Sequence, residues 1–239
     1  MPILLMNSVS EPLTFIGKMA GICWNADIWS DNDKNRKRAI ECIRADHGRV
    51  LEFVDVTVVL EGYSARCMRE LYTHIGGSPT RLQSSTRYVE ARDMEAYVPA
   101  SCKGNGDYDR ALGAIRQAYG DLLDSGVPRE DAANILPLGM MSKMVWKVNL
   151  RTLINFFHKR LCTRALKEIR NLATELKDIL SSQDVEWKWL ADNLFVPQCE
   201  QYTFMNKELA FCQEARCCGR HMKISELHVS KENAGHGAG

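Results

Sequence analysis

Several features are missing from this sequence, and each absence excludes a class of function. There is no run of about eighteen apolar residues, so no segment reads as a membrane-crossing helix. The opening Met-Pro-Ile-Leu-Leu-Met is too short for a signal-peptide core and soon meets Glu11. A soluble, cytoplasmic protein is expected. Charge of one sign is also lacking, because 31 Lys and Arg stand against 30 Asp and Glu for a formal charge of +1. Without a bulk field, neither nucleic acid nor an anionic membrane is an expected partner, and any anion must be bound locally. Neither Gly-x-Gly-x-x-Gly nor a Walker loop occurs, which argues against a Rossmann cofactor domain, and no internal repeat is found. No Cys-x-x-Cys pair is present among the nine cysteines.

With 239 residues and 45% hydrophobic content, the chain can fill a sizeable core. One domain over residues 1–227 is expected, followed by a disordered tail over 228–239 that ends Asn-Ala-Gly-His-Gly-Ala-Gly. Cys23, Cys42, Cys67, Cys102 and Cys162 are scattered singly, as reduced thiols often are. Cys199, Cys212, Cys217 and Cys218 gather near His221. Their spacing leaves zinc open but favours a surface group of thiols with no metal.

Residues 34–44 place Ala39, Ile40 and Ile43 on one helical face, and a turn at Asp46-His-Gly leads on to Phe53. Phe53–Leu60 alternates as a strand, with Asp55 and Thr57 facing away from the core and Gly62 ending it. Tyr63–His74 reads as a helix with Ser64 as its N-cap and Cys67, Met68, Leu71 and Tyr72 inward. The stretch from Ile75 to Tyr88 holds two glycines and a proline, which forbid regular structure at its start. Its small hydroxylated residues leave backbone N–H groups free for a ligand. Residues 89–107 read as a flexible surface connection, and Tyr108–Leu123 as an amphipathic helix capped at Gly126.

The most informative stretch is Asn149–Arg170. Leu150, Leu153, Ile154, Phe157, Leu161, Ala165, Ile169, Leu172 and Leu176 recur at steps of three and four, the core face of one helix or of two in series. Beside that stripe stand Asn149, Arg151, Asn155, Arg160 and Arg164, with 151 over 155 and 160 over 164 by the four-residue step. Such residues are usually only solvated, yet planar forks and amides also suit phosphates, carboxylates and ring carbonyls.

The order Asn149-x-Arg151-x-Leu153-x-x-Phe156-x-x-x-Arg160, then Ala165-x-x-Glu168-Ile169-Arg170, resembles the C-terminal signature helix of the flavin-dependent thymidylate synthases. Ser85-Thr-Arg87-Tyr88 is similar to that family's Ser-x-Arg-Tyr, and His74 takes the place of the central His in its Arg-His-Arg triplet. His47, Glu52 and Phe53 keep the spacing of a further family motif. Thr73 and Ile75 stand where the flanking arginines would be, Arg49 replaces a small hydroxyl residue, and Ala133 replaces an arginine before Leu136-Pro137. Arg164 stands where a His is usual, and Leu166 where a Gln is usual. Arg81 is the candidate to restore lost positive charge, and Lys143 is a second.

The resemblance implies an α+β fold, an antiparallel sheet packed with long helices in a single domain. It implies methylation of dUMP to dTMP, with FAD carrying the hydride. Methylenetetrahydrofolate would give the carbon and NADPH would re-reduce the flavin, in a homotetramer with sites between subunits. The residues it assigns to nucleotide are Gln83, Ser84, Ser85, Arg87, Arg160 and Arg164, with Arg160 acting on the pyrimidine. To flavin it assigns His47, Glu52, His74, Ser78, Arg81, Asn149, Arg151 and Asn155. Arg160 and Arg87 are expected to face one cleft, within a chain or across neighbouring chains. A flavin-dependent pyrimidine nucleotide hydroxymethylase, or a nucleotide-binding member without turnover, are the alternatives.

Overall fold

Burial with a period of two marks strands, and burial with a period of three to four marks helices. Both patterns run through the computed structural model, which describes residues 3–77, 79–201 and 210–226. In chain order the elements are β1 (Ile3–Ser8), α1 (Pro12–Gly21), α2 (Asn32–Arg44), β2 (Asp55–Ser64), α3 (Ala65–Leu71), β3 (Thr80–Gln83), α4 (Gly106–Asp124), α5 (Arg129–Ala132), β4 (Met141–Asn149), α6 (Leu150–Arg160), α7 (Lys167–Ser181), α8 (Val185–Asn193), β5 (Phe211–Cys212) and β6 (Met222–Lys223). The α+β expectation holds. Four strands form a sheet in the order β1-β2-β4-β3, and β3 pairs with β4 antiparallel, Thr80 opposite Lys147 and Gln83 opposite Met144. β5 and β6 make a separate parallel pair. No helix among the described residues is long and apolar enough to cross a membrane.

The chain divides into two units, one built from the residues up to Asn7 with Thr57–Lys147, the other from Ser8–Val56 with the residues from Val148 onward. In the first, Val58 and Leu60 of β2 are fully buried while Thr57 and Val59 are not, as a strand with one covered face requires. Gly62 does not end β2. It takes φ 72° within the strand, which continues to Ser64. The Ser64 hydroxyl then accepts the Cys67 N–H at 3.0 Å and starts α3 as expected. That helix stops at Leu71, short of the expected His74, so Cys67, Met68 and Leu71 are buried but Tyr72 is turned out. The expected loose connection over 89–107 does more than span a gap. Ala91 and Met94 are buried against Tyr119 of α4 and Ala132 of α5, and the Tyr119 hydroxyl accepts the Ala91 N–H at 3.3 Å.

In the second unit α1 and α2 touch through Gly17. A Cβ there would stand 1.8 Å from the Asn35 carbonyl oxygen, so only glycine permits the contact. The Glu186 carboxylate, 1% exposed, accepts from the Thr14 N–H at 2.8 Å, the Thr14 hydroxyl at 2.6 Å and Arg36 Nε at 2.8 Å, which satisfies a charge that burial would otherwise penalise. Phe157 stacks on Phe195 at 4.3 Å between centroids. Leu150, Leu153, Ile154, Phe157, Ile169, Leu172 and Leu176 are buried, as their spacing predicts. Leu161 and Ala165 are only partly so, because the helix breaks between α6 and α7. The connection is closed by the Ala165 N–H donating to the Cys162 carbonyl at 3.0 Å and by Arg170 Nη1 donating to the Thr163 carbonyl at 2.9 Å. Arg164 therefore does not stack one helical turn beyond Arg160. The tail at 228–239 lies outside the described residues.

Candidate functional site

The second unit brings several flavin candidates together at the start of α6. The Asn149 side chain accepts the Thr152 N–H at 2.9 Å as the N-cap, and the Leu150 N–H donates to the Val54 carbonyl at 2.7 Å. These bonds seat the helix against the short 3-10 segment Gly48–Phe53. Arg151, Asn155 and His158, four and three residues apart, share one face of α6 and line a cavity of about 260 Å³ together with Asp46, His47 and Gly48. Ile43, Leu51, Ile154 and Leu194 form its apolar wall. Arg151 Nη1 pairs with Glu52 Oε1 at 2.6 Å, so Glu52 acts on the cavity through the guanidinium. Gly48 makes room for that guanidinium, since a Cβ would lie 3.0 Å from Arg151 Nε.

His158 was not anticipated from the sequence, though its step of three from Asn155 was the available signal. Burial pushes its pKa down to about 4, the neighbouring Lys159 charge adds to the effect, and a bond to the Leu194 backbone opposes it. The ring is therefore neutral at pH 7. Its Nε2 is buried and has no hydrogen-bond partner among the described residues.

The first unit gathers the nucleotide candidates where β3 gives way to a turn. Gln83 Nε2 donates to the Ser142 hydroxyl at 2.9 Å, and the Ser84 N–H donates to the Lys143 carbonyl at 2.9 Å. The Ser85 carbonyl then accepts the Tyr88 and Val89 N–H groups at 3.1 and 2.9 Å, and its hydroxyl accepts the Arg87 N–H at 3.3 Å. Ser84, Ser85, Thr86, Ser142 and Lys143 line a cavity of about 350 Å³, with Glu90 and Arg92 also on its wall. Lys143 pairs with Glu61. The Arg87 guanidinium lies over the Tyr88 ring, 5.3 Å from its centroid.

Other predicted residues have different settings. Arg81 Nη1 donates to the Leu71 carbonyl at 2.9 Å and its guanidinium lies 4.7 Å from the Tyr72 centroid, so it closes the end of α3. The His74 N–H donates to the same carbonyl at 3.1 Å. Ser78 lies outside the described residues. Arg160 is the last residue of α6, and Arg164 Nε pairs with Glu214 Oε2 at 3.1 Å. Sequence reasoning also passed over Arg92 and Arg129, whose guanidinium groups hold residues 87–90.

Near the C-terminus, burial pushes the Cys199 thiol up to about 11, aided by the Glu200 charge. Cys217 Sγ accepts the Gly219 N–H at 3.3 Å and donates to the His221 carbonyl at 3.1 Å. Among the described residues, no group of three or more His, Cys, Asp or Glu is arranged to hold a metal ion.

Comparison with known proteins gives a consistent result. Residues 4–184 match the family described as thymidylate synthase complementing protein. A flavin-dependent thymidylate synthase of Geobacter sulfurreducens is 32% identical over 189 residues, covering 74% of this chain and 80% of that protein. One from Pyrococcus furiosus is 30% identical over 220 residues, covering 84% and 87%. The crystal structure of a Helicobacter pylori flavin-dependent thymidylate synthase complexed with FAD and dUMP superposes with a TM-score of 0.63 at 21% identity, over 81% of this chain and 99% of that one, a likeness of fold.

Proposed function

This chain belongs to the flavin-dependent thymidylate synthase family, and from that premise we propose that it methylates dUMP to dTMP with FAD as its cofactor. The observation that carries the reading is the convergence of His47, Arg151 and Asn155 on one cavity. Guanidinium, amide and imidazole groups over an apolar wall suit a flat ring bearing carbonyls, so these residues fit the flavin. A cavity of about 260 Å³ takes only part of a dinucleotide, and in this reading the protein is a homotetramer whose neighbouring chains complete each site.

FAD held there would supply the hydride, with methylenetetrahydrofolate as carbon donor and NADPH as the source of reducing equivalents. The protein's share is binding, alignment and electrostatics. Asn149 fixes the helix from which Arg151 and Asn155 project, Glu52 holds the Arg151 fork, and Arg81 secures the end of α3 next to His74. Ser78 belongs to the same flavin set. Ser84 and Ser85, on the cavity that Lys143 also lines, bind the nucleotide phosphate together with Arg87 of the same turn, and Gln83 orders the strand end. The Arg160 guanidinium can fork onto a pyrimidine carbonyl and nitrogen as negative charge grows there. Arg164, held by Glu214, is the further nucleotide candidate. No cysteine nucleophile enters.

The test is an absorbance spectrum of the purified protein, repeated after NADPH and then dUMP, with the product identified by mass. Bleaching of a yellow protein that depends on nucleotide, and a product with the mass of dTMP, are expected. A colourless protein that binds no FAD would overturn the proposal, and a hydroxymethylated product would replace it.

A further inference from the structure

We infer that Arg129, at the head of α5, is the positioning residue of the turn that carries Ser85 and Arg87. Its Nη1 donates to the Tyr88 carbonyl at 3.0 Å and to the Arg87 carbonyl at 3.4 Å. Its Nη2 lies 3.6 Å from Glu90 Oε2, so one guanidinium spans residues 87, 88 and 90. The side chain is lodged rather than waving in solvent, because its Nε is buried. Arg92 grips the same carboxylate, Nε to Glu90 Oε1 at 2.6 Å, and ties it to α4 through Asp124 at 2.6 Å.

The turn has few bonds of its own. Within it, the Ser85 carbonyl and hydroxyl accept from residues 87, 88 and 89, which fixes Ser85 but not the direction of the chain beyond it. Arg129 supplies that direction from about forty residues downstream by holding the backbone of Arg87 itself. The backbone that carries Arg87, whose N–H reaches the Ser85 hydroxyl at 3.3 Å, is then held in one course, and a phosphate site on this turn needs that fixed backbone. A lysine at 129 would keep the charge beside Glu90 but cannot bridge two carbonyls and a carboxylate with a fixed fork.

This inference rests on the reading of the turn as the phosphate site, and the test separates the two. Affinities for dUMP and for deoxyuridine, which lacks the phosphate, are measured on FAD-saturated wild type, R129A and R129K. Wild type is expected to prefer dUMP. R129A is expected to lose about tenfold in dUMP affinity, the scale of one charge-assisted hydrogen bond. Its deoxyuridine and FAD affinities should stay within about twofold, and R129K should recover less than half of the lost binding energy. If R129A keeps wild-type dUMP affinity, or loses affinity for both ligands alike, Arg129 does not position the turn. R129K that binds dUMP like wild type also contradicts the role, and it carries the test if R129A fails to fold. A wild type with no preference for dUMP over deoxyuridine overturns the phosphate site, and the inference with it.

Discussion

On α6, Arg151, Asn155 and His158 are spaced by a helix that holds itself, whereas the chain from Arg87 to Glu90 is held by guanidinium groups that arrive from residues 92 and 129. The helix needs only its N-cap and its buried stripe to fix the relation between ligand groups. The turn needs distant partners. Changes to the cap and buried contacts that hold α6 should therefore register in folding stability, and changes in the braces of the turn should register in ligand affinity with little effect on stability.

The largest expected effect on the helix side is acid sensitivity at His158. An ordinary histidine titrates near 6.5 and this one near 4, so between those values the unfolded chain binds a proton that the native state refuses. The stability present above pH 6.5 is lost as the pH falls toward 4, by at most roughly 3 kcal/mol. Urea midpoints at pH 7 and pH 4.5 would show it, and His158→Gln should flatten the slope. An equal slope in the variant would mean that another group controls acid unfolding.

Next is Asn149→Ala, which removes the cap of α6 and should cost about 1–2 kcal/mol in urea unfolding. A cost below a few tenths would show that the helix start is held by the Leu150 to Val54 bond alone. Gly48→Ala should be milder. The new Cβ meets Arg151 Nε, at the far end of a flexible side chain, at 3.0 Å, so that group shifts slightly, and FAD affinity should fall about threefold while stability holds. The smallest effect belongs to the turn: Arg92→Ala should leave the unfolding midpoint unresolved from wild type, because its ion pairs face solvent. A clear loss of stability there would erase the contrast.

The same contrast explains what the sequence revealed. Spacing alone placed Leu150, Leu153, Ile154 and Phe157 in the core and Arg151 with Asn155 on one face, because helical geometry turns separation along the chain into separation in space. It failed at Leu161 and Ala165, where a pattern compatible with continued helix is overridden by a local turn and the Arg170 contact to Thr163. The turn at 84–88 was legible only through its resemblance to Ser-x-Arg-Tyr. No periodicity joins Arg129 to Arg87, or Tyr119 to Ala91, since long-range contacts leave no local spacing. The helix expected over Tyr63–His74 ends early, at Leu71, where Arg81 takes the carbonyl from ten residues downstream, a contact that local spacing does not announce.

The most direct measurement is a crossed titration of FAD and of dUMP, the latter on FAD-saturated protein, against Arg151→Ala and Arg87→Ala. Arg151→Ala should lose at least tenfold in FAD affinity, and Arg87→Ala at least tenfold in dUMP affinity, with the other ligand changed by less than about threefold in each case. FAD affinity that survives loss of Arg151 but falls with Arg87 would contradict the assignment of flavin to the α6 cavity and of nucleotide to the turn.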